Sequence, residues 1–244
     1  MIEHKIFDIK INEIDYQELL ETIENTITSK KKIKICYTNP HIVRLSEKEK
    51  NLKNVLNDFN INHIDGTGLT IALKVLHKKN VPRFNWTDHC LNFLSDCEKK
   101  EWSIFFLGSD QKTISNAVKK VKEKFPRLKF AGFLNGFSNL NNETVSTINA
   151  SSPDILWVGI GSPEQELWVT KNSEIINCIV VQCVGDVFSH VAGSRLRGPV
   201  FFRSMGLEWF FRLLQDPLKY FDRYVIGIPY FFYLILKDKL RRIK

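Results

Sequence analysis

The chain has 244 residues with 43% apolar and 25% charged side chains, ordinary for a globular protein and enough for one large α/β domain or a domain with an appendage. Its five cysteines (Cys36, Cys90, Cys97, Cys178, Cys183) are odd in number and scattered, with no Cys-x-x-Cys. That argues against a disulfide framework or a zinc site and for buried thiols in a reducing cytosol. The net charge of +8 is uneven: residues 195–244 hold eleven Lys/Arg against four Asp/Glu, or +7, which leaves +1 on residues 1–194.

Along the chain, helical and strand patterns alternate. The opening MIEHKIFDIKINEID has acids and apolar alternation where a signal peptide has a basic start and an apolar run, so none is expected. Tyr16, Leu19, Leu20, Ile23 and Ile27 fall at helical spacing, and KIKICYT then reads as a strand. The pattern predicts one helix over about 40–59, a short strand at INHID and a helix at GTGLTIALKVLHKK. Thr87 reads as the N-cap of a helix DHCLNFLSDCEKK, because a hydroxyl before a periodic run takes up free amide groups. WSIFFLG is a buried strand, TISNAVKKVKEKF a helix, and LKFAGFL, DILWVGIG and CIVVQCVG are further strands with helices between. Repeated β-then-α units predict a Rossmann-like α/β fold, a mostly parallel sheet with helices on both faces. The composition shift near Arg195 predicts an α/β domain over 1–194 and a helical C-terminal appendage over 195–244.

That appendage holds twelve of the chain's 29 aromatics, including the pairs Phe201-Phe202, Phe210-Phe211 and Phe231-Phe232. Basic residues interleaved with rings suit an anionic membrane surface, where charges meet lipid phosphate and rings enter the headgroup layer. No stretch reaches the roughly 18 uncharged apolar residues of a spanning helix. The nearest, YVIGIPYFFYLIL over 224–236, is short and contains Pro229, so it reads as interfacial or re-entrant. Nucleic acid is a rival partner for such a basic patch, but it would leave this apolar run exposed, and no nucleic-acid partner is expected. Packing on the main domain, or self-association into a homo-oligomer, would also cover the run.

Ligands of open parallel sheets sit at the carboxyl ends of strands, and four such ends here are polar: YTNP, IDGTG, FLGSD and GIGSPEQE. Asp65 is either a turn carboxylate before Gly66 or a general base at the sheet edge. Thr38 and Asn39 stand in a strand-to-helix turn before Pro40. Gln165 fits a capping box, with Ser162 as cap and Pro163 at the first helical position, although such a corner also binds anions. The turn at Gly108 could hold a phosphate on the following helix. Arg83, in VPRFNWTDH, is either a solvated charge or a phosphate clamp. No aspartate pair is spaced Asp-x-Asp, no HExxH, P-loop or GxGxxG occurs, and His41, His63, His89 and His190 lack ligand spacing and read as structural, so no metal or cofactor is expected.

In order, TNPHIVRL, IDGTGL, RFNWTD, FLGSD, GFLNGF, VGIGSPEQELW and VAGSRLRGP…GLEWFFRLLQDPLKYFDRY resemble the bacterial WecG/TagA/CpsF family of glycosyltransferases over most of the chain. The resemblance implies metal-independent, inverting transfer of a sugar, often N-acetylmannosamine, from a UDP-sugar donor. The implied acceptor is N-acetylglucosamine on a polyprenyl (undecaprenyl) diphosphate, used for teichoic acid, capsule or another surface polymer at the cytoplasmic face of the membrane. It matches Asp65 to the base, Asn39, Arg83 and Gln165 to polar pocket residues, and Arg212 and Arg223 to functional arginines of the appendage. Tyr37 stands where the family has Thr, with Thr38 adjacent; Trp86, Ser189 and Gly198 are further departures. A nucleotide-binding α/β protein without transferase activity, using its tail to bind a partner, is the alternative.

Overall fold

The computed structural model describes residues 1–138, 140–194, 198 and 206–243. The expected boundary at Arg195, the Phe201-Phe202 pair, and Arg195, Arg197 and Pro199 of the Arg-x-Pro segment lie outside the described residues.

The strands β1 (Ile2–Ile6) and β2 (Ile9–Glu13) form an antiparallel hairpin. Its turn residues Phe7 and Asp8 both take left-handed φ, 53° and 67°, the sense that matches strand twist in two-residue hairpins. The chain continues through α1 (Tyr16–Ser29), β3 (Ile33–Thr38), α2 (Pro40–Lys48), α3 (Leu52–Asn57), β4 (Ile61–Ile64), α4 (Thr67–His77) and α5 (Trp86–Lys99). Next come β5 (Ile104–Gly108), α6 (Gln111–Lys124), β6 (Phe130–Leu134), α7 (Asn142–Ser151), β7 (Ile155–Gly159), α8 (Glu164–Asn172), β8 (Val180–Cys183) and α9 (Val187–Val191). All eight strands join one sheet, ordered β1-β2-β4-β3-β8-β7-β5-β6, with β1–β2 its antiparallel pair.

The continuous apolar runs of the central strands follow from burial on both faces. On β7, Leu156 and Val158 join a core shared with α2, α3, α4, α7 and α8, while Ile155 and Trp157 join the opposite core with α1, α5, α6 and α9. The expected architecture of a mostly parallel, two-faced sheet is what the molecule has.

Three local expectations are corrected. The single helix over 40–59 is two helices, because Glu49 leaves α2 with extended backbone (φ −99°, ψ 96°) before α3 begins. Asn85, and not Thr87, caps α5: its side-chain oxygen accepts from the Thr87 N–H at 3.0 Å, and Trp86 enters the core as the first helical residue. The Ser162–Gln165 capping box does not form; α8 starts at Glu164 without a side-chain cap, and the Gln165 side chain turns inward.

From Glu208 onward the described chain is helical: α10 (Glu208–Gln215), α11 (Pro217–Tyr220), a π-helical turn (Phe221–Ile226) and α12 (Gly227–Ile243). α12 continues directly from the π-helical turn, and residues 227–236 run as helix with Pro229 near its start. Phe231, Leu234 and Ile235 are buried in the same core as Ile42 of α2 and Leu69 and Leu73 of α4. Burying side chains of this size contributes about 1.5–3 kcal/mol each. Arg44, itself buried, adds a clamp by donating to the Asp222 carbonyl (2.6 Å) and carboxylate (2.7 Å). No described helix is long and apolar enough to cross a membrane.

Candidate active site

Helices leave the neighbouring strands β3 and β8 for opposite faces, α2 into one core and α9 into the other. Such a reversal opens a crevice at the strands' carboxyl ends. Two cavities lie there, of about 340 Å³ and 230 Å³. The larger has an apolar wall of Ile71, Trp209, Ile228, Phe231 and Phe232, much of it supplied by α10 and α12. The smaller sits over the ends of β3 and β8 and meets Tyr37, Ser162, Gly185 and Asp186. Asn39, His41, Asp65, Asn85, Arg212 and Arg223 line both.

Asp65 owes its position to main-chain contacts. Its N–H donates to the Thr38 carbonyl (2.8 Å), carrying the β3–β4 ladder one residue further, and Gly66 then turns the chain with φ 82°. Gly68 lets α4 start against α2: a Cβ there would stand 2.3 Å from Pro40 Cγ. Asn39 caps α2 with its side-chain oxygen, which accepts from the His41 and Ile42 N–H groups (3.0 and 3.1 Å). Its amide nitrogen is thereby left to face Asp65, to which it donates at 3.3 Å. Burial pushes the Asp65 carboxyl above the usual aspartate range, against the pull of the Asn39 hydrogen bond and of Arg212 and Arg223. A carboxylate raised in this way, within a cavity, is a better proton acceptor than an exposed one.

Positive charge gathers around it. Arg83 lies 3.3 Å from Asp88 and 3.9 Å from Glu208, and Glu208 in turn accepts from Arg212 at 2.7 Å. One carboxylate from α10 therefore joins an arginine of the α/β body to one of the C-terminal helices. Arg223 reaches both cavities, its guanidinium 5.5 Å from the Tyr224 ring centre, and its buried Nε has no hydrogen-bond partner among the described residues. His41 is kept neutral, its ring pushed down to about 4 by burial and by the nearby Arg223 and Arg44.

Thus Asp65, Asn39, Arg83, Arg212 and Arg223 converge on one crevice. Three other candidates do not reach it. Thr38 is buried in the sheet and donates to Asn62 Oδ1 at 2.8 Å. Gly108 ends β5 on the far side of β7, where a Cβ would stand 2.3 Å from the Gly159 carbonyl oxygen, and Asp110 of that turn is occupied in capping α6. Gln165 is wholly buried behind the smaller cavity, touching Tyr37, Ser162 and Gly185 of its wall. Glu208 and Asn85 are missed from sequence, and His41, read there as structural, lines both cavities. Only Glu208 carried a signal: it is one of four acids among eleven basic residues in the tail.

The sequence matches the model of the glycosyl transferase WecG/TagA/CpsF family over residues 4–244. It is 28% identical over 235 residues to an N-acetylglucosaminyldiphosphoundecaprenol N-acetyl-beta-D-mannosaminyltransferase of Bacillus spizizenii, covering 94% of this chain and 91% of that protein. A Staphylococcus aureus protein of the same name is 30% identical over 246 residues, covering 97% of this chain and 94% of its own length.

Proposed function

Since the chain belongs to the WecG/TagA/CpsF family of glycosyltransferases, we propose that it moves N-acetylmannosamine from a UDP donor to N-acetylglucosaminyl-diphospho-undecaprenol, with inversion and without a metal. The observation that carries this reading is the place of Asp65 on the wall common to both cavities. The smaller, more polar cavity at the β3–β8 reversal receives the nucleotide sugar. The larger one, with its aromatic wall, receives the acceptor sugar and the first part of its lipid. The two substrates then meet at Asp65.

The acceptor hydroxyl oxygen attacks C1 of the donor sugar while the bond from C1 to the β-phosphate oxygen breaks on the opposite face. Asp65 takes the hydroxyl proton as the new bond forms, a contribution of roughly 10²–10⁴-fold. UDP departs with an added negative charge. Arg212 and Arg223, which line both cavities, meet that charge, and the helices carrying them cover the crevice and exclude water, while Arg83 on the acceptor side steadies Glu208 beside Arg212. Residues 195–244 act as an appendage that brings this cover and, through its exposed rings and cations, holds the enzyme on the anionic inner surface of the membrane where the lipid acceptor resides.

The reading is tested by following UDP release from UDP-N-acetylmannosamine with a short-chain N-acetylglucosaminyl diphospholipid, with and without EDTA. Acceptor-dependent release that EDTA leaves intact is the expected result. Nucleotide binding with no acceptor-dependent release would favour a binding protein without transferase activity, and loss of activity in EDTA would overturn metal independence.

A further inference from the structure

Glu166 is a buried acid that the proposed reaction does not use. Its side chain is wholly buried, beside Gln165 at the start of α8. One carboxyl oxygen, Oε1, accepts from Ser162 Oγ at 2.9 Å and from the Gln165 amide nitrogen at 2.7 Å. That nitrogen also lies 3.1 Å from Ser162 Oγ and 3.4 Å from the Tyr37 hydroxyl. With its nitrogen so engaged, the Gln165 amide turns its oxygen the other way, onto the Gly185 N–H at 3.1 Å.

Gly185 follows β8 with left-handed φ of 59°, and a Cβ there would stand 2.3 Å from the Tyr37 hydroxyl oxygen. The loop after β8 is therefore fitted closely against the end of β3. Ser162, Tyr37 and Gly185 all line the smaller cavity. We propose that Glu166 is a positioning residue for the donor: its oxygen fixes which way the Gln165 amide faces, and the amide oxygen then holds Gly185 and the shape of the nucleotide cavity. This inference rests on the reading that the smaller cavity receives the donor. Burial pushes the Glu166 carboxyl up to about 7, so near neutral pH the group serves as an acceptor with or without its charge. The hydrogen bonds use one accepting oxygen of residue 166, Oε1, while Oε2 is buried with no hydrogen-bond partner among the described residues, and an amide supplies the same acceptor.

The test compares Glu166→Leu, which removes the acceptor while roughly keeping the volume, with Glu166→Gln, which retains it. In the full chain, UDP affinity is measured by calorimetry, alongside donor KM, acceptor KM and kcat. For Glu166→Leu, UDP Kd and donor KM rise about tenfold, the scale of one buried donor losing its partner, with kcat and acceptor KM held within about twofold. Glu166→Gln restores UDP binding to within about twofold of the parent. Ser162→Ala, a milder cut in the same network, raises UDP Kd about threefold and decides the matter if Glu166→Leu does not fold. Unchanged UDP affinity in Glu166→Leu, failure of Glu166→Gln to rescue, or an equal loss in kcat and acceptor KM would each overturn the proposal. If the parent protein itself does not bind UDP, the donor reading falls first and the proposal falls with it.

Discussion

The two halves of the crevice wall are built by different means. Asp65 and Asn39 are held by the sheet: a ladder bond to Thr38, a glycine turn and a helix cap fix them through the main chain or one bond away from it. Arg212, Arg223 and Glu208 ride on helices joined to the body by side chains, namely the Arg44–Asp222 clamp, the Glu208 link to Arg83 and the inward face of α12. The difference matches the proposed division of labour. A proton acceptor must stand within a fraction of an ångström of its target, whereas charge neutralisation and exclusion of water tolerate a cover that adjusts as substrate enters.

The strongest way to break this comparison is at its rigid half. Asp65→Asn is expected to lower kcat by roughly 10²–10⁴-fold while UDP binding, measured by calorimetry, persists. Unchanged kcat would move the base elsewhere. The pH profile sharpens the point. Burial raises the folded carboxyl above its unfolded value, so the native state holds this proton more tightly than the unfolded chain does. Base activity should therefore fall, as pH is lowered, at a pH above the ordinary aspartate range, and this acid limb should vanish in the variant. The sign for stability is the reverse. The stability linked to the tightly held proton is present below the unfolded pKa and is lost as pH rises through the folded one. At neutral pH the ionised Asp65 is then a burden on the fold, and Asp65→Asn should raise Tm even as kcat falls.

The adjustable half predicts a smaller loss with a different signature. Arg223→Ala should reduce kcat by roughly 10²–10³-fold, the cost of one oriented donor to a developing negative charge. Its Nε has no partner among the described residues, so thermal stability should change little. Arg212→Ala should lower both activity and stability, because it removes the 2.7 Å charged hydrogen bond to the part-buried Glu208 carboxylate. Parallel thermal melts and initial rates separate the two. If the Arg223 variant loses stability in step with activity, that residue is part of the fold and not a waiting ligand for phosphate.

Much of this was legible in the sequence because parallel sheets leave a plain signature. Five consecutive buried residues in β5 and in β7 read as apolar runs, and the helices between them keep their own period. Asp65 and Asn39 stand out as polar residues at strand ends, but the same signal names Gly108 and Gln165, which do not reach the crevice, and Arg83 is joined to them in the sequence only by the family resemblance. What could not be read depended on contacts between distant segments. Gln165 fits a capping box by spacing, but the buried carboxyl of Glu166 draws it inward. Asn85 outcompetes Thr87 as a cap because Trp86 must reach the core, where it packs edge-on against Phe93 and Trp157. Glu208 looks like a stray acid until the fold brings Arg83 beside it.

The mildest expected effect concerns the outer side of α12. Its inner side is accounted for by Phe231, Leu234 and Ile235, yet Tyr233, Leu236 and Leu240 stay more than half exposed at 54%, 56% and 55%. Lys237 and Arg241 stand among them, lining the same shallow groove, with the Lys237 ammonium 5.9 Å from the Tyr233 ring centre. Rings and aliphatic chains beside cations are the pairing that an anionic lipid surface favours, and each cation near that surface contributes about 1 kcal/mol. Replacing Lys237 and Arg241 singly by Gln should weaken binding to phosphatidylserine-containing vesicles roughly fivefold each, the equivalent of that energy. Turnover on a water-soluble short-chain acceptor should stay the same, since neither side chain borders the two cavities around Asp65. Equal binding by parent and variants would remove this stripe from the membrane contact. A matching loss of turnover on the soluble acceptor would instead make α12 part of the adjustable wall along its whole length, and the two sides of the helix would no longer have separate duties.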